Sequence, residues 1–451
     1  MKIRKVTLKD VVNTMRFDGG YHNADVNVYD SVIRKHSEHT LDFYCSDIFT
    51  SVRTRRIYTR PKFGYPFLSN ADVVSANPFQ SCKYSSKKYG FDSNAVLKEG
   101  MILTGRVGAI GQTAFVPAFV EKAKAMGSDN IIRIEVKSPY KNGFIYAYLA
   151  SKMGNLAFWK LATGGVQPFI TDSMVKKLPI PKFPESFQTE VDNLIQESAR
   201  LRDEANDKLE EAHKKILSII PHEDIQPSNS ISIKKIESSH NKRFDATYYN
   251  SKNRALYDYI TTKKSFTTLG NLAEDIFRPG IFKREYVNNG VTFLGGADIL
   301  RAVPSSDKKL SFRQVKKMPE LIAKKGWILV TCGGTIGNTV YVDSQLEKCA
   351  ISQHVMRIVP KESTLSGYLY AVLSSELGNK LINMFAFGSV IPQVEPHHLK
   401  HVPIPLFSEE EMASIDNQVK IYVSDIEMAK EKETRAIKMV EDEIEKWNKS
   451  N

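Results

Sequence analysis

The stretch SVRTRRIYTRPKFGY, Ser51 to Tyr65, carries Arg53, Arg55, Arg56, Arg60 and Lys62 interleaved with Tyr58, Phe63 and Tyr65. Guanidinium groups suit phosphate oxygens and the O6/N7 edge of guanine, so a loop of this kind both positions and specifies on a nucleic acid. A second basic stretch follows with Lys83, Lys87 and Lys88. Much later, FRPGIFKREY carries Arg278, Lys283 and Arg284, followed by Lys308, Lys309, Arg313, Lys316 and Lys317. Two glycine turns accompany these loops: Gly108 and Gly111, just after Arg106, and Gly334 and Gly337. Glycine permits positive φ and close approach of another backbone, which fits a phosphate contact and a tight hairpin equally well. Neither turn is a P-loop, because no Gly-Lys-Ser/Thr follows. A merely solvated basic surface is the plain alternative for the whole set.

Catalytic chemistry is hard to place. Asp129, Glu135 and Lys137 faintly suggest a carboxylate-x-lysine nuclease motif, but Val359, Pro360 and Lys361 stand at the matching positions further on. His397, His398 and His401 have metal-compatible spacing but read better as a basic surface helix. NPF at Asn77 to Phe79 lacks the second proline of an amino-methyltransferase tetrad, and no glycine-rich cofactor loop precedes it. Cys45, Cys82, Cys332 and Cys349 form no Cys-x-x-Cys pair, so reduced structural thiols are expected. The expectation is a chain with no catalytic residues, no metal and no cofactor of its own.

The elements that would position the basic loops come twice. GGVQPFITDSMVKKLPIPKF (Gly164 to Phe183) and GSVIPQVEPHHLKHVPIPLF (Gly388 to Phe407) match at eight of twenty positions. RFDGGYHN at Arg16 parallels RFDATYYN at Arg243, and PFLSNADVV at Pro66 parallels TFLGGADIL at Thr292. LKEGMILTGRVGAIGQTAFV at Leu97 parallels AKKGWILVTCGGTIGNTVYV at Ala323. The order is the same and the offset stays between 224 and 227 residues, which is a tandem duplication. The basic loops fall in the same places of each copy but are filled differently, as two readers of different sequences would be.

Each copy ends in a stretch free of Gly and Pro. Leu194, Ser198, Leu201, Ala205, Leu209, Ala212, Ile216 and Ile219 fall on one helical face. Met412, Ile415, Val419, Tyr422, Ile426, Ala429, Ala436, Val440, Ile444 and Trp447 approach a heptad seam. Each helix should run roughly 36 residues, or about 54 Å. The narrow stripes predict that the two pair as an antiparallel coiled coil. MILT with TAFV, and WILV with TVYV, read as strands joined by glycine turns, while the segments beginning GFIYAYLA and GYLYAVLS read as helical. The fold class is therefore α+β: residues 1–184 and 221–407 as globular domains, 185–220 and 408–451 as helical spacers.

Charge follows this division. The 451-residue chain carries a net +12, yet residues 185–220 hold five basic and nine acidic groups, and 408–451 hold seven and twelve. The globular parts are left at +21, the sign and scale that suit a phosphate backbone. At 42% apolar the chain can bury real cores. No apolar run has the length of a membrane span and the start lacks a signal peptide, so a soluble cytoplasmic protein with no membrane partner is expected.

This layout resembles the specificity subunits of Type I restriction–modification systems. FLSNADV and FLGGADI look like the family's aromatic-rich strand ending in Asp, and GMILTGRVGAIG and GWILVTCGGTIG like its Gly–strand–Ile-Gly turn. LPIPKFPESFQTEV is similar to its Pro-x-Pro approach to the helix, with Gln188 at the usual glutamine. VPIPLFSEEEMASI lacks that Gln, and the RFD openings replace a Gly-Thr-Pro start. A specificity chain of a related Type II system shares the same layout. The resemblance implies two tandem target-recognition domains, each reading one half of a split site in double-stranded DNA. The helices would act as a ruler longer than one duplex turn of about 34 Å. It also implies two DNA adenine methyltransferase subunits, which carry the S-adenosylmethionine and flip the adenine, and a motor-nuclease subunit for cleavage. The competing readings are a stand-alone nucleic-acid-binding regulator, an enzyme with an unrecognised site, and a scaffold for acidic protein.

Overall fold

The computed structural model describes residues 5–17, 21–22, 24–53, 55–164, 166–219, 225–226, 232–237, 242–244, 246–249, 251–388 and 390–449. Asp18, Gly19, Gly20, Asn23, Asp245 and Asn250 of the repeated openings lie outside the described residues, as does Pro221. The chain divides into two compact units, Met1–Asp203 with Met428–Asn451, and Glu204–Glu427.

In the first unit, strands β1 (Cys45–Thr50), β4 (Ile102–Gly105), β5 (Thr113–Phe115) and β6 (Ile131–Val136) form an antiparallel sheet in the order β1-β6-β4-β5. A second sheet contains β2 (Gly64–Leu68) and β3 (Lys83–Ser86), with the short strands Tyr58–Thr59 and Met126–Gly127 at its edges. β4 is buried along its whole length because both faces of the first sheet are covered. Alternate residues enter different cores. Ile48, Ile102, Ile132 and Ile134 pack on the helical side, while Leu103 and Ile131 pack with Leu68, Leu97 and Phe119 on the other. The helical side is built by α1 (Asn142–Ala150) and α2 (Lys152–Leu161). The stretch read as helical forms two helices because Ser151 leaves helical geometry and its Oγ accepts from the Gly154 amide at 3.1 Å, capping the second helix. A long helix, α3 (Glu185–Ile219), follows.

The second unit repeats the plan with β7 (Ala273–Phe277), β9 (Ile328–Thr331), β10 (Thr339–Tyr341) and β11 (Val355–Pro360) in the order β7-β11-β9-β10. β8 (Tyr286–Leu294) pairs antiparallel with Lys309–Leu310 and parallel with Ala350–Ile351. Helices α4 (Ser366–Ser374), α5 (Glu376–Met384) and the long α6 (Glu409–Lys449) complete it. The strand and hairpin expectations are met in both copies: β4 with β5 and β9 with β10 are the paired strands.

The repeated Pro-Ile-Pro has the same role twice. Pro179–Ile180 pairs with His39–Thr40, and Pro403–Pro405 with Phe266–Thr268, in two-stranded sheets where the missing proline N–H is tolerated at an edge. Gln188 Nε2 then donates to the Phe183 carbonyl at 2.8 Å before α3. Where the second copy lacks that glutamine, Ser408 and Glu411 form a capping box: Ser408 Oγ donates to the Glu411 carboxylate at 2.6 Å, and the Glu411 amide returns to Ser408 Oγ at 3.3 Å.

The long helices run 35 and 41 residues, about 52 and 62 Å at 1.5 Å per residue. They pack together antiparallel in each unit. In the first, Ser198 Oγ donates to the Ala429 carbonyl at 2.8 Å, Lys432 pairs with Glu197 at 2.7 Å and Arg202 with Glu433 at 2.8 Å. In the second, Gln418 Nε2 donates to Glu211 at 3.0 Å and Lys215 Nζ to Ser414 Oγ at 3.1 Å. Most seam residues are buried as expected. At the start of α3, however, Val191 and Ile195 take the buried positions and Leu194 lies at their margin. The side chain of Ile219 lies outside the described residues. Among the described residues no helix is long and apolar enough to cross a membrane.

Two acidic residues of each unit tie a long helix to its sheet and helices. Asp192 accepts from the Gly143 amide at 2.8 Å, and Asp416, 224 positions on, accepts from the Gly367 and Tyr368 amides at 2.7 and 3.2 Å. A Cβ on Gly143 would meet Asp192 Oδ1 at 2.7 Å, so that glycine is what lets the helix start approach the carboxylate. Asp203 likewise accepts from the Ala118 and Phe119 amides, and Glu427 from the Ser344 amide at 2.7 Å.

Candidate nucleic-acid interface

The second sheet of the first unit carries its basic stretches on one side. Strand alternation turns Gly64, Pro66 and Leu68 of β2 inward and leaves Tyr65 and Phe67 on the other face. The register sets Phe67 opposite Lys83, and Tyr58 and Tyr65 opposite Ser85. On this face cations stand over rings. Lys83 Nζ lies 4.8 Å from the Tyr58 centroid, Lys87 Nζ 5.3 Å from Tyr65, Lys88 Nζ 5.0 Å from Tyr89, and Arg56 Cζ 5.4 Å from Phe67. Arg53, Arg55, Arg60 and Lys62 are exposed on the loop leading in, and Lys87 Nζ also donates to the Lys62 carbonyl at 3.3 Å. The sheet thus gathers the two basic stretches of this copy, which are distant in sequence. Their charges lie against aromatic surface, which places them without burying them.

The second unit distributes its candidates differently. Arg284 Cζ lies 5.3 Å from the Phe293 centroid, and Arg284 donates to Gln353 Oε1 at 3.3 Å. Lys283, Lys308, Lys316 and Lys317 are exposed, and Lys309 sits in the short strand opposite Thr292. Arg313 is exposed and pairs loosely with Glu285 at 3.3 Å. Hydrogen bonds from Ser311 and Arg313 hold the Glu285 carboxyl below the usual carboxylate range. Arg278 stands apart from this group: it is half-buried against Glu395 at 2.5 Å, beside Cys332.

The glycine turns split into two kinds of position. Gly111 and Gly337 have φ of +74° and +88° and abut α2 and α5, where an added Cβ would meet Asn155 Nδ2 at 2.5 Å and Asn379 Nδ2 at 2.9 Å. Those two serve the packing of the turn. Gly108 and Gly334 both have φ +77° and face open space, the geometry that leaves a backbone amide approachable. Arg106 is half-buried at the base of the first turn, its backbone bonded to Asn130 and Ile170. The most similar repeat folds beside these turns. Phe169 bridges to Val107 and Thr163, and Gln393 to Gly333 and Phe387, leaving Val166 and Val390 exposed at the tips.

The acidic candidates do not converge. Asp129 is turned to Arg56, and Glu135 pairs with Lys98 at 3.1 Å. Among the described residues no group of three His, Cys, Asp or Glu is placed to hold a metal. His398 is buried rather than on the surface, its Nδ1 accepting from the Glu395 amide at 3.2 Å in a turn cap. The four cysteines are free thiols, and burial pushes Cys45 and Cys82 up to about 12.

Sequence reasoning missed one arginine in each copy. Arg133 and Arg357 are fully buried in β6 and β11, and among the described residues neither pairs with a carboxylate. Arg133 donates to the carbonyls of Ile131, Gly127 and Ala95 at 2.9, 2.6 and 3.3 Å. Arg357 donates to those of Ser352, Val355, Ile351 and Leu321. Burial pulls both guanidiniums down to about 10, which leaves them charged at neutral pH. They clasp the loop that joins the two sheets of each unit. The signal available was Ile-Arg-Ile in one copy and Met-Arg-Ile in the other, a charge inside an apolar strand at a 224-residue offset.

The sequence profile of the Type I restriction modification DNA specificity domain matches residues 42–191 and again residues 263–433. The Type I restriction enzyme MjaIX specificity subunit of Methanocaldococcus jannaschii is 27% identical over 138 residues, which is 31% of this chain and 31% of that subunit's length. Among solved structures, the Type I restriction-modification S subunit of M. genitalium aligns over 91% of this chain and 94% of its own, at 13% identity and a TM-score of 0.35. The HsdS subunit of Thermoanaerobacter tengcongensis aligns over 90% and 95%, at 16% identity and a TM-score of 0.28.

Proposed function

We propose that this chain, which belongs to the Type I restriction modification DNA specificity family, reads a bipartite, asymmetric site in double-stranded DNA, one half with each unit. It brings two adenine methyltransferase subunits to that site, and a motor-nuclease subunit joins them for cleavage. The chain itself supplies recognition and no catalysis. The observation that carries the reading is the paired display of cations over aromatic rings. Each unit presents it on its second sheet, but with Lys83, Lys87 and Arg56 in one and Arg284 with a different loop set in the other. Equivalent scaffolds with unlike basic side chains suit two unlike half-sites, and phosphate contacts from the flanking lysines supply register and affinity. The net negative long helices leave the positive field to the reading units.

Affinity capture of the tagged chain from its host, with mass spectrometry and genome-wide detection of N6-methyladenine, tests this. The expected result is an adenine methyltransferase near two copies per copy of the chain, and a two-part methylated motif that vanishes when the gene is deleted. Recovery of nucleic acid without a methyltransferase, together with an unchanged methylome, would leave a DNA-binding regulator that acts alone.

A further inference from the structure

Arg56 and Arg284 occupy different registers of the duplication. They are 228 positions apart, whereas the phenylalanines beneath them, Phe67 and Phe293, are 226 apart and their side-chain partners, Asp129 and Gln353, are 224 apart. Loops of different length and sequence have nonetheless delivered a guanidinium to the same place. In each unit it lies over the ring of the Phe-Leu strand, at 5.4 and 5.3 Å, and donates to the side chain just after the short parallel strand beside it. That loop is anchored the same way in both, by the Ser128 amide to the Leu68 carbonyl and the Ser352 amide to the Leu294 carbonyl, each at 2.9 Å.

We propose that Arg56 and Arg284 are the base-reading arginines of the two units, each directed at the O6/N7 edge of a guanine. Asp129 and Gln353 are positioning residues that hold them. The inference rests on the reading of this chain as a DNA specificity subunit.

Three observations favour base reading over a purely structural or phosphate role. A structural arginine in this fold looks different: Arg133 and Arg357 are sealed and spend their donors on backbone carbonyls, whereas the Arg56 side chain is 39% exposed above an Asp129 that is 16% exposed. Arg53 and Arg55 are exposed on the same loop with no ring beneath them among the described residues, which suits phosphate contacts. A guanidinium fixed by a ring and an acceptor has already lost much of its rotamer freedom, and its planar fork matches the two acceptors of guanine. The two partners also differ in charge. The Asp129 carboxylate neutralises Arg56, so that arginine adds little to sequence-independent attraction; Gln353 is neutral, so for Arg284 the ring and the acceptor alone carry the assignment.

The test uses the chain in its own complex, reading the N6-methyladenine motif of host strains that carry single substitutions. Arg56→Ala is expected to make one guanine position of one half-site degenerate, with about 5- to 150-fold loss of discrimination there and the other half unchanged. Arg284→Ala does the same in the opposite half. Asp129→Ala, which keeps the arginine, relaxes the same position as Arg56→Ala, and Asp129→Gln restores it by supplying the acceptor used in the other unit. Arg55→Ala lowers methylation at all sites alike. Should Arg56→Ala fail to accumulate, Arg56→Gln retains polarity in a shorter side chain, and loss of guanine preference or a shift to adenine supports the assignment. An intact motif with uniformly lower occupancy in the Arg56 and Arg284 variants overturns the inference while leaving the specificity reading in place. Absence of any two-part motif in the parent strain overturns both.

Discussion

The long-helix seam is apolar in the second unit but charged in the first, and replacing Glu433 tests what that charge contributes. Glu433 accepts from the Tyr146 hydroxyl at 2.6 Å and from Arg202 at 2.8 Å, and the Arg202 and Glu433 side chains are each only 11% exposed. At the positions 224 residues away, the second unit has Leu209 for Glu433 and Ile426 for Arg202, both buried. Glu433→Ala therefore strands a buried guanidinium and a buried phenol, in a place where Arg202 Nη1 already meets no acceptor among the described residues. Removing one partner of such a pair costs about 3–5 kcal/mol. With a urea slope near 3 kcal/mol per M, the midpoint should fall by about 1–1.7 M. Fluorescence can isolate the first unit, since Trp159 and Trp447 lie within it and Trp327 within the second, so a Trp327→Phe background reports the right transition. The combination Arg202→Ile, Glu433→Leu and Tyr146→Phe should recover all of the loss and add about 0–4 kcal/mol, because no polar group is then left unpaired. A midpoint shift below about 0.3 M for Glu433→Ala would refute the reasoning. So would an apolar combination as unstable as the single variant.

Burial holds the His213 imidazole, bonded to Ser374 Oγ at 3.0 Å, down at about 4. Because the folded value lies below the unfolded one near 6.5, the unfolded chain takes the proton first. The stability it leaves intact above about pH 6.5 is lost towards pH 4, by on the order of 3 kcal/mol. Urea midpoints read through Trp327 from pH 7 to 4 should show this, and His213→Gln should flatten that part of the slope. Asp416→Ala, which strips the acceptor from two buried amides, should cost about 1–3 kcal/mol. Asp192→Ala, facing one amide, should cost less, and equal losses in chemical denaturation would contradict this. Arg133→Ala should destabilise the first unit by about 3–5 kcal/mol. Arg133→Lys should not rescue it, since one compact ammonium cannot span carbonyls that two separate guanidinium nitrogens reach; a thermal melt restored by lysine would count against the clasp.

Much of the architecture was legible because it was written twice. The paired strands, the Pro-Ile-Pro edge and the long helices each repeat a local pattern that burial enforces, and a duplication removes the ambiguity of any one copy. Three features were not legible. The break at Ser151 depends on a cap inside an otherwise helical apolar run, and its twin at Ser375 is equally silent in periodicity. The buried arginines read as surface charge until the loop carbonyls around them are seen. At the interface, Arg56 and Arg284 could be nominated as basic, yet only the fold shows that they share a ring and an acceptor while Arg278 turns to Glu395. Charge composition finds a binding loop; which of its members is held in place depends on loop neighbours that lie some seventy residues away.

Through the long helices the offset between the copies holds at 224, and this defines what the structural repeat is. Asp192 matches Asp416 and Asp203 matches Glu427, but beyond that point the match passes into the other half of each helix: Ala205, Ala212 and Ile216 correspond to Ala429, Ala436 and Val440. The repeating body is therefore a half-helix, a globular part and a second half-helix, and the first unit obtains one of its halves from the far end of the chain. Packing explains the arrangement. Ala436, Val440 and Ile444 bury against the same cluster as Ile145, Val191 and Ile195, so the first unit lacks part of its core until the last helix has been made. The second unit finds Ala205, Leu209, Ala212 and Ile216 within its own continuous segment. A seam that differs between the units, Arg202 with Glu433 in one and Ile426 with Leu209 in the other, sets the two equivalent half-helix pairings apart. Pairing α3 with a second α3 would set Arg202 against Leu209 and bury a charge on an aliphatic side chain, so the chemistry of the seam favours α3 with α6.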